Sequence, residues 1–162
     1  MLIYIAGPYE GKLFATPMYY AKAGPEFRRV FIAQNVKKAL QVADSVIRLG
    51  CVPFVPHLWH EMSKQFSHTR QAWLNLGLQA LQHCQAVIRI PGVSEGAEQE
   101  VQRAQTLHIP VFNSEDLLPF AEFVRKQKGD MRDQQHKRFM QDLQASPLFF
   151  PWRYANKEEN CE

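Results

Sequence analysis

At 162 residues, 46% hydrophobic and 22% charged, the chain is the size of one globular domain and long enough to bury a core. Its 19 basic and 16 acidic residues leave a net charge of +3 and are spread along the sequence, which argues against the basic groove of a duplex nucleic-acid binder and leaves room for a small anionic ligand. No stretch approaches the ~18 apolar residues of a membrane span, and Cys51, Cys84 and Cys161 are odd in number without metal-type spacing, so the expected setting is the reducing cytoplasm.

The first expected element is the strand LIYIA (2–6), which should begin directly after Met1, because MLIYIAGPYEG has only a short apolar run and no basic flank. Three more β-rich runs follow: CVPFV (51–55), AVIRI (86–90) and IPVFN (109–113). Between them lie helical patterns at 26–49, where Val36, Leu40, Ala43 and Ile47 share a face, at 69–83 and at 95–107. Apolar strands separated by amphipathic helices imply an α/β fold in three layers, a parallel sheet with helices on both faces, because each right-handed crossover needs about a dozen residues. Beyond the fourth strand, SEDLLPFAEFVRKQK and DMRDQQHKRFMQDLQ read as helices, the first opening at a Ser or Asp cap, and PLFFPWRYANKEENCE as an aromatic, then charged tail. The reading is a single domain over 1–162, with its core in 1–127 and a C-terminal helix and tail in 128–162.

In such sheets ligands sit outside the carboxyl ends of the strands, at the point where strand order reverses. The loops expected there carry Tyr9, Phe14, Tyr19, Tyr20, His57, Trp59, His60 and Phe66. These aromatics suit stacking on a planar base, and equally a satellite core or an oligomer contact. The third loop leads into the helix from Ser94 to Leu107, whose apolar stripe is Ala97, Val101, Ala104 and Leu107. Glu100 falls inside that stripe, while Glu95 and Glu98 point to the polar side. A carboxylate on an apolar face near a helix start calls for a partner or a task.

YIAGPY, a helix containing Asn35, VPH, WLNLGLQALQHCQAVIRI and SEGAEQEVQRAQTLHIPVF follow one another over residues 4–112. Each motif is weak alone, but the ordered set resembles the nucleoside 2-deoxyribosyltransferase-like superfamily, closest to its small bacterial and phage branches. The resemblance implies a flavodoxin-like (Rossmann-like) sheet, a homodimer or larger homo-oligomer, no metal or organic cofactor, and cleavage or transfer at the N-glycosidic bond of a nucleoside or nucleotide. In that family the glutamate ending an S-x-G-x-x-x-E pattern attacks C1′ of the deoxyribose, and Ser94, Gly96 and Glu100 match the pattern. The resemblance therefore implies Glu100 as the catalytic nucleophile, in the manner of a retaining glycosidase. The plain alternative is that the helix rolls slightly and Glu100 meets Arg103 or Arg89.

Ser94 and Gly96 stand where backbone N–H groups gather at a helix start, which suits a phosphate or sugar hydroxyl, and Ser94 also suits an N-cap. Gly7, Pro8 and Tyr9 close on the same crevice or form a tight turn only, and His57 either meets substrate or finishes its strand. Two positions depart from the family. Where its active members carry an acid that assists proton transfer, this chain has Gly77, on a face with Trp73, Ala80, Leu81 and Cys84 and expected to be inward but empty; the aspartate opening the third strand is Gln85. Asn75 lies on nearly the opposite face, so His57, His60, Glu10 and Glu61 are the candidates to replace the acid. A second reading is therefore a lapsed relative that binds a nucleotide or nucleotide-derived ligand as a sensor or decoy. A third is an interaction protein built on the aromatic loops.

Overall fold

The protein is described by a computed structural model that covers residues 1–10 and 25–128. Phe14, Tyr19, Tyr20, Cys161, the helix expected in DMRDQQHKRFMQDLQ and the tail PLFFPWRYANKEENCE lie outside the described residues.

Four strands, β1 (Leu2–Ala6), β2 (Val52–Phe54), β3 (Ala86–Arg89) and β4 (Val111–Asn113), form one sheet in the order β2-β1-β3-β4. All three pairings are parallel, with Tyr4 opposite Phe54 on one side and Val87 on the other. Helix α1 (Pro25–Arg48) carries the chain outward from β1 to the edge strand β2. The chain then passes back through a 3-10 turn (Pro56–Leu58), α2 (Trp59–Gln65) and α3 (Arg70–Leu81) to β3, and through α4 (Glu95–Thr106) to β4. Right-handed crossovers in opposite directions put α1 on one face and α3 with α4 on the other. The result is the three-layer α/β, Rossmann-like fold, with a flavodoxin-like strand order whose switch point lies between β1 and β3.

Strand β1 is central and buried on both faces, so its alternation decides which residue meets which layer. Ile5 packs with Ala39, Ala43, Val55 and Ile90 on the α1 side. Tyr4 and Ala6 pack with Leu81, Cys84, Val87 and Ala104 on the other.

Of the face expected for α1, Ala43 is buried, and the rest is offset by one residue. Leu40 and Ile47 are 43% and 57% exposed, and the buried set is Ile32, Asn35, Ala39, Ala43 and Val46. One residue is about 100° of rotation. Alanines at 39 and 43 allow a close approach to the sheet, and Asn35 takes a buried place because its side-chain amide donates to the Tyr9 carbonyl at 2.9 Å. The long loop expected after β2 is also partly helical, since the 3-10 turn and α2 occupy 56–65. Helix α2 buries none of its residues, so it has no apolar period to read.

The chain divides after Ser114 into two compact units, the first ending ahead of the 127 expected for the core. In the second unit α5 (Leu118–Lys128) begins after Asp116, whose carboxylate accepts from the Leu118 amide at 3.1 Å. Phe120, Ala121 and Val124 are buried there. Among the described residues no helix is long and apolar enough to cross a membrane.

Candidate active site

Helix α4 forms where its sequence reads as a helix start. The Ser94 hydroxyl caps it by accepting from the Ala97 amide at 3.3 Å, and Glu95 and Glu98 stand in the first turn, where the helix dipole favours acids. Ala97 and Ala104 are buried and Val101 and Leu107 half-buried, the expected stripe. Glu100 sits within it, half-buried, while Glu95 and Glu98 are exposed.

Its partner comes from the sheet. The hydroxyl of Tyr4, a fully buried residue in the middle of β1, donates to Glu100 Oε1 at 2.7 Å. Gly77 on α3 makes this contact possible, since a Cβ there would lie 2.6 Å from the Tyr4 oxygen and 3.4 Å from Glu100 Oε1. The position is inward, as expected, but not empty: the Tyr4 hydroxyl fills the room. Gly77 therefore makes space for the pair, which corrects the expectation of an empty position.

Burial pushes the Glu100 carboxyl up to about 7, against the Tyr4 hydrogen bond and the charge of Arg89, which both pull it down. Burial and the adjacent carboxylate push the Tyr4 phenol far upward, so it stays a donor. Arg89 is not the ion-pair partner. Its guanidinium donates to the Ile90 carbonyl, to the Gly92 carbonyl at 2.7 Å and to Glu98 Oε1 at 2.7 Å, which folds the PGVS turn around it. Arg103 is exposed.

Aromatic rings extend from this pair. Tyr4 stacks on Phe54 at 5.5 Å, Phe54 meets Trp59 edge-on at 5.7 Å, Trp59 lies 5.8 Å from Trp73, and His68 meets Trp73 edge-on at 5.2 Å. Trp73 is one helical turn before Gly77, so the ring series returns to the helix that flanks Glu100. Phe54, Trp59 and Trp73 are all half-buried. The half-buried carboxyl and the partly exposed indoles are thus joined through Tyr4 and Phe54.

The GPY turn lies at the carboxyl end of β1 and is held from several sides. A Cβ on Gly7 would come 3.0 Å from Ile90 Cβ and 3.4 Å from His57 Cε1, so its close approach is to protein. Pro8 abuts Gly92, which has φ +131° and would set a Cβ 2.9 Å from Pro8 Cγ. His57 is buried with Nε2 3.2 Å from the Pro8 carbonyl, a contact in which Nε2–H donates, and its Nδ1 has no partner among the described residues. Burial pushes this imidazole down to about 4, so it is neutral at pH 7. Gly7, Pro8 and His57 thus close the switch point, and Tyr9 emerges beyond it with its hydroxyl against His60 Nδ1.

At the start of α4 the Ser94 hydroxyl is engaged as a cap, and Gly96 lies under Leu74, whose Cδ1 would be 3.8 Å from a Cβ at that position. Glu95 pairs with Arg70 at 3.3 Å and Glu98 with Arg89, so the charges at this helix start are carboxylates already met by arginines. Of the candidate acids, Glu10 pairs with Arg28 and Glu61 with Lys64, both in exposed ion pairs. Gln85 lies at the opposite, amino end of β3, where its side-chain oxygen accepts from the Leu2 amide at 2.6 Å. Asn75 accepts from Gln71 at 2.8 Å on the exposed side of α3. Among the described residues no group of three or more His, Cys, Asp or Glu gathers to hold a metal.

Sequence reasoning missed Tyr4 and the Trp59–Trp73 pair. The signal for Tyr4 lay in the alternation of LIYIA, which sets it opposite Ile3 and Ile5 and toward the layer carrying Glu100. Nothing in the spacing joins Trp59 to Trp73, because α2 and α3 meet through a turn without an apolar pattern.

The first compact unit, Met1–Ser114, holds every residue of this site, and it coincides with the span of a family match over residues 1–114. The chain belongs to the DUF7768 family. That family is described as a domain of unknown function. Among curated proteins none matches the chain. The DUF7768 domain here thus comprises the whole four-stranded sheet, its helices α1 to α4 and the Tyr4–Glu100 pair.

Proposed function

We propose that the protein is an N-glycosidase or deoxyribosyltransferase-like enzyme acting on a nucleoside or nucleotide, with Glu100 as nucleophile. The observation that carries the reading is the Tyr4–Glu100 hydrogen bond under Gly77, from which the ring series Phe54, Trp59 and Trp73 runs on. Tyr4 engages Oε1 and fixes the carboxyl plane, which leaves Oε2 to attack C1′. The half-buried indoles offer a face to the base. As the glycosidic bond lengthens, positive charge develops on the sugar, and a carboxylate kept from bulk water stabilises that charge more than an exposed one. The sequence resemblance to nucleoside 2-deoxyribosyltransferase-like proteins supports the same assignment. A homodimer or larger assembly and a cytoplasmic setting belong to this proposal.

The test is to incubate the protein with deoxynucleosides and their monophosphates and to follow free base by chromatography. Base release that disappears in Glu100→Gln supports the enzyme, because the amide is nearly isosteric but a poor nucleophile. Retention of most activity in that variant removes Glu100 from the mechanism. The absence of a carboxylate at Gly77 favours a second reading, a relative that binds without turnover. Saturable nucleotide binding with no base release by the wild type decides for it.

A further inference from the structure

The proposed reaction needs a proton for the departing base, and the position at which the enzymes it resembles carry an acid is Gly77, filled here by the Tyr4 hydroxyl. Glu10 and Glu61 are held in exposed ion pairs and His57 is buried against Pro8. His60 differs from all three. It lies in the first turn of α2, directly after Trp59, and is half-buried. Its Nδ1 is bonded to the Tyr9 hydroxyl, whose residue is held in turn by Asn35 through the backbone carbonyl. Its Nε2 has no partner among the described residues. The chain of contacts from Glu100 to Tyr4 and Phe54 reaches Trp59, the residue before this imidazole in α2.

Resting on the reading of Glu100 as nucleophile, we propose that His60 is the acid and base of the reaction and that Tyr9 positions it. In this proposal a base stacked on Trp59 turns its ring edge toward His60, the next residue of α2. In the first half-reaction Glu100 Oε2 forms a bond to C1′ and the C1′–N bond breaks. The electron pair of that bond passes to the base, which takes the Nε2 proton of a doubly protonated His60. His60 keeps its Nδ1–H, which donates to the Tyr9 oxygen. In the second half-reaction water attacks C1′, the bond to Glu100 breaks, and the water proton returns to His60 Nε2. The sum is nucleoside and water giving base and free sugar, with the protein restored. Pairing with Tyr9 fixes the ring so that Nε2, not Nδ1, faces the ligand.

The experiment compares 2′-deoxyguanosine, whose base needs a proton to leave, with its N7-methylated cation, whose base leaves without one. Wild type releases base from both and Glu100→Gln from neither. His60→Gln loses roughly 10²-fold to 10⁴-fold on 2′-deoxyguanosine, the usual worth of a positioned acid, and keeps its rate on the methylated substrate. Tyr9→Phe shows a smaller loss, in kcat rather than KM and again only on 2′-deoxyguanosine. Melting temperatures establish that each variant is folded. Equal losses on both substrates, or no loss on either, from a folded His60→Gln overturn the assignment of His60 while leaving Glu100 in place. No release from either substrate by wild type overturns the nucleophile itself, and with it this proposal.

Discussion

A carboxyl group whose pKa rises from 4.5 to about 7 on folding makes the folded state the better proton binder between those values. Stability is then lost as pH rises through that window, by at most on the order of 3 kcal/mol at ~1.4 kcal/mol for each tenfold change in proton affinity. His57 runs the other way, because an imidazole pushed from 6.5 to about 4 makes the unfolded chain the better proton binder, so its stability contribution is lost as pH falls through that range. The two slopes oppose each other between 4.5 and 6.5. Glu100→Gln removes one of them: its melting temperature should climb from pH 4 to 6.5, level off, and exceed that of wild type at pH 8. A wild-type and variant pair with parallel curves from pH 4 to 8 would show that Glu100 ionises normally. Tyr4→Phe keeps the ring on Phe54 but removes a hydrogen bond that holds the carboxyl pKa down, so the pH at which base release reaches half its plateau should move upward. Gly77→Ala should destabilise by roughly 1–3 kcal/mol, since the methyl overpacks the Tyr4 hydroxyl, despite the ~1 kcal/mol that alanine gains over glycine in a helix. Gly77→Asp should lower base release and not raise it. Thermal melts and base-release assays on the two variants check this, and a rise in either quantity would return Gly77 to the status of unfilled space.

Helices differ in how openly they announce themselves. In α4 the cap, the acidic first turn and the apolar stripe agree, and Ser94 to Leu107 was legible from sequence with Glu100 already marked as the residue out of place. Ser94→Ala should therefore cost ~1 kcal/mol as a lost cap and weaken nucleoside and monophosphate alike, which titrations with both ligands would measure. In α1 the presence of a helix and the burial of Ala43 were legible but the rest of its buried face was not, because Ala39 and Asn35 outrank the larger Leu40 and Ile47 at the sheet. Leu40→Lys and Ile47→Lys should each change stability by less than ~0.5 kcal/mol, whereas Ala39→Leu should cost ~1–3 kcal/mol by overpacking. Denaturant melts that reverse this order would restore the face expected from apolar bulk. Helix α2 carries the half-buried Trp59 and His60 yet has no fully buried residue, so no periodicity could have revealed it.

The alternation of four apolar runs with three helices was enough to fix the class of the fold, since a parallel sheet requires covered faces and long crossovers. What joins the site was not legible, because the Tyr4 to Glu100 hydrogen bond links residues 96 apart in sequence through the middle layer of the molecule. Its existence depends on the register of β1. Slipping that strand by one residue would turn Tyr4 to the α1 side and Ile3 or Ile5 toward Glu100. At the amino end of the same strand, the side-chain oxygen of Gln85 accepts from the Leu2 amide at 2.6 Å while the Gln85 backbone amide donates to the Leu2 carbonyl at 2.9 Å. Gln85 thereby acts as a latch on strand register, holding the aim of the phenol at the middle of the strand without touching the site. Gln85→Ala should hasten hydrogen exchange at the β1 amides and lower base release with no change in the residues that face the ligand.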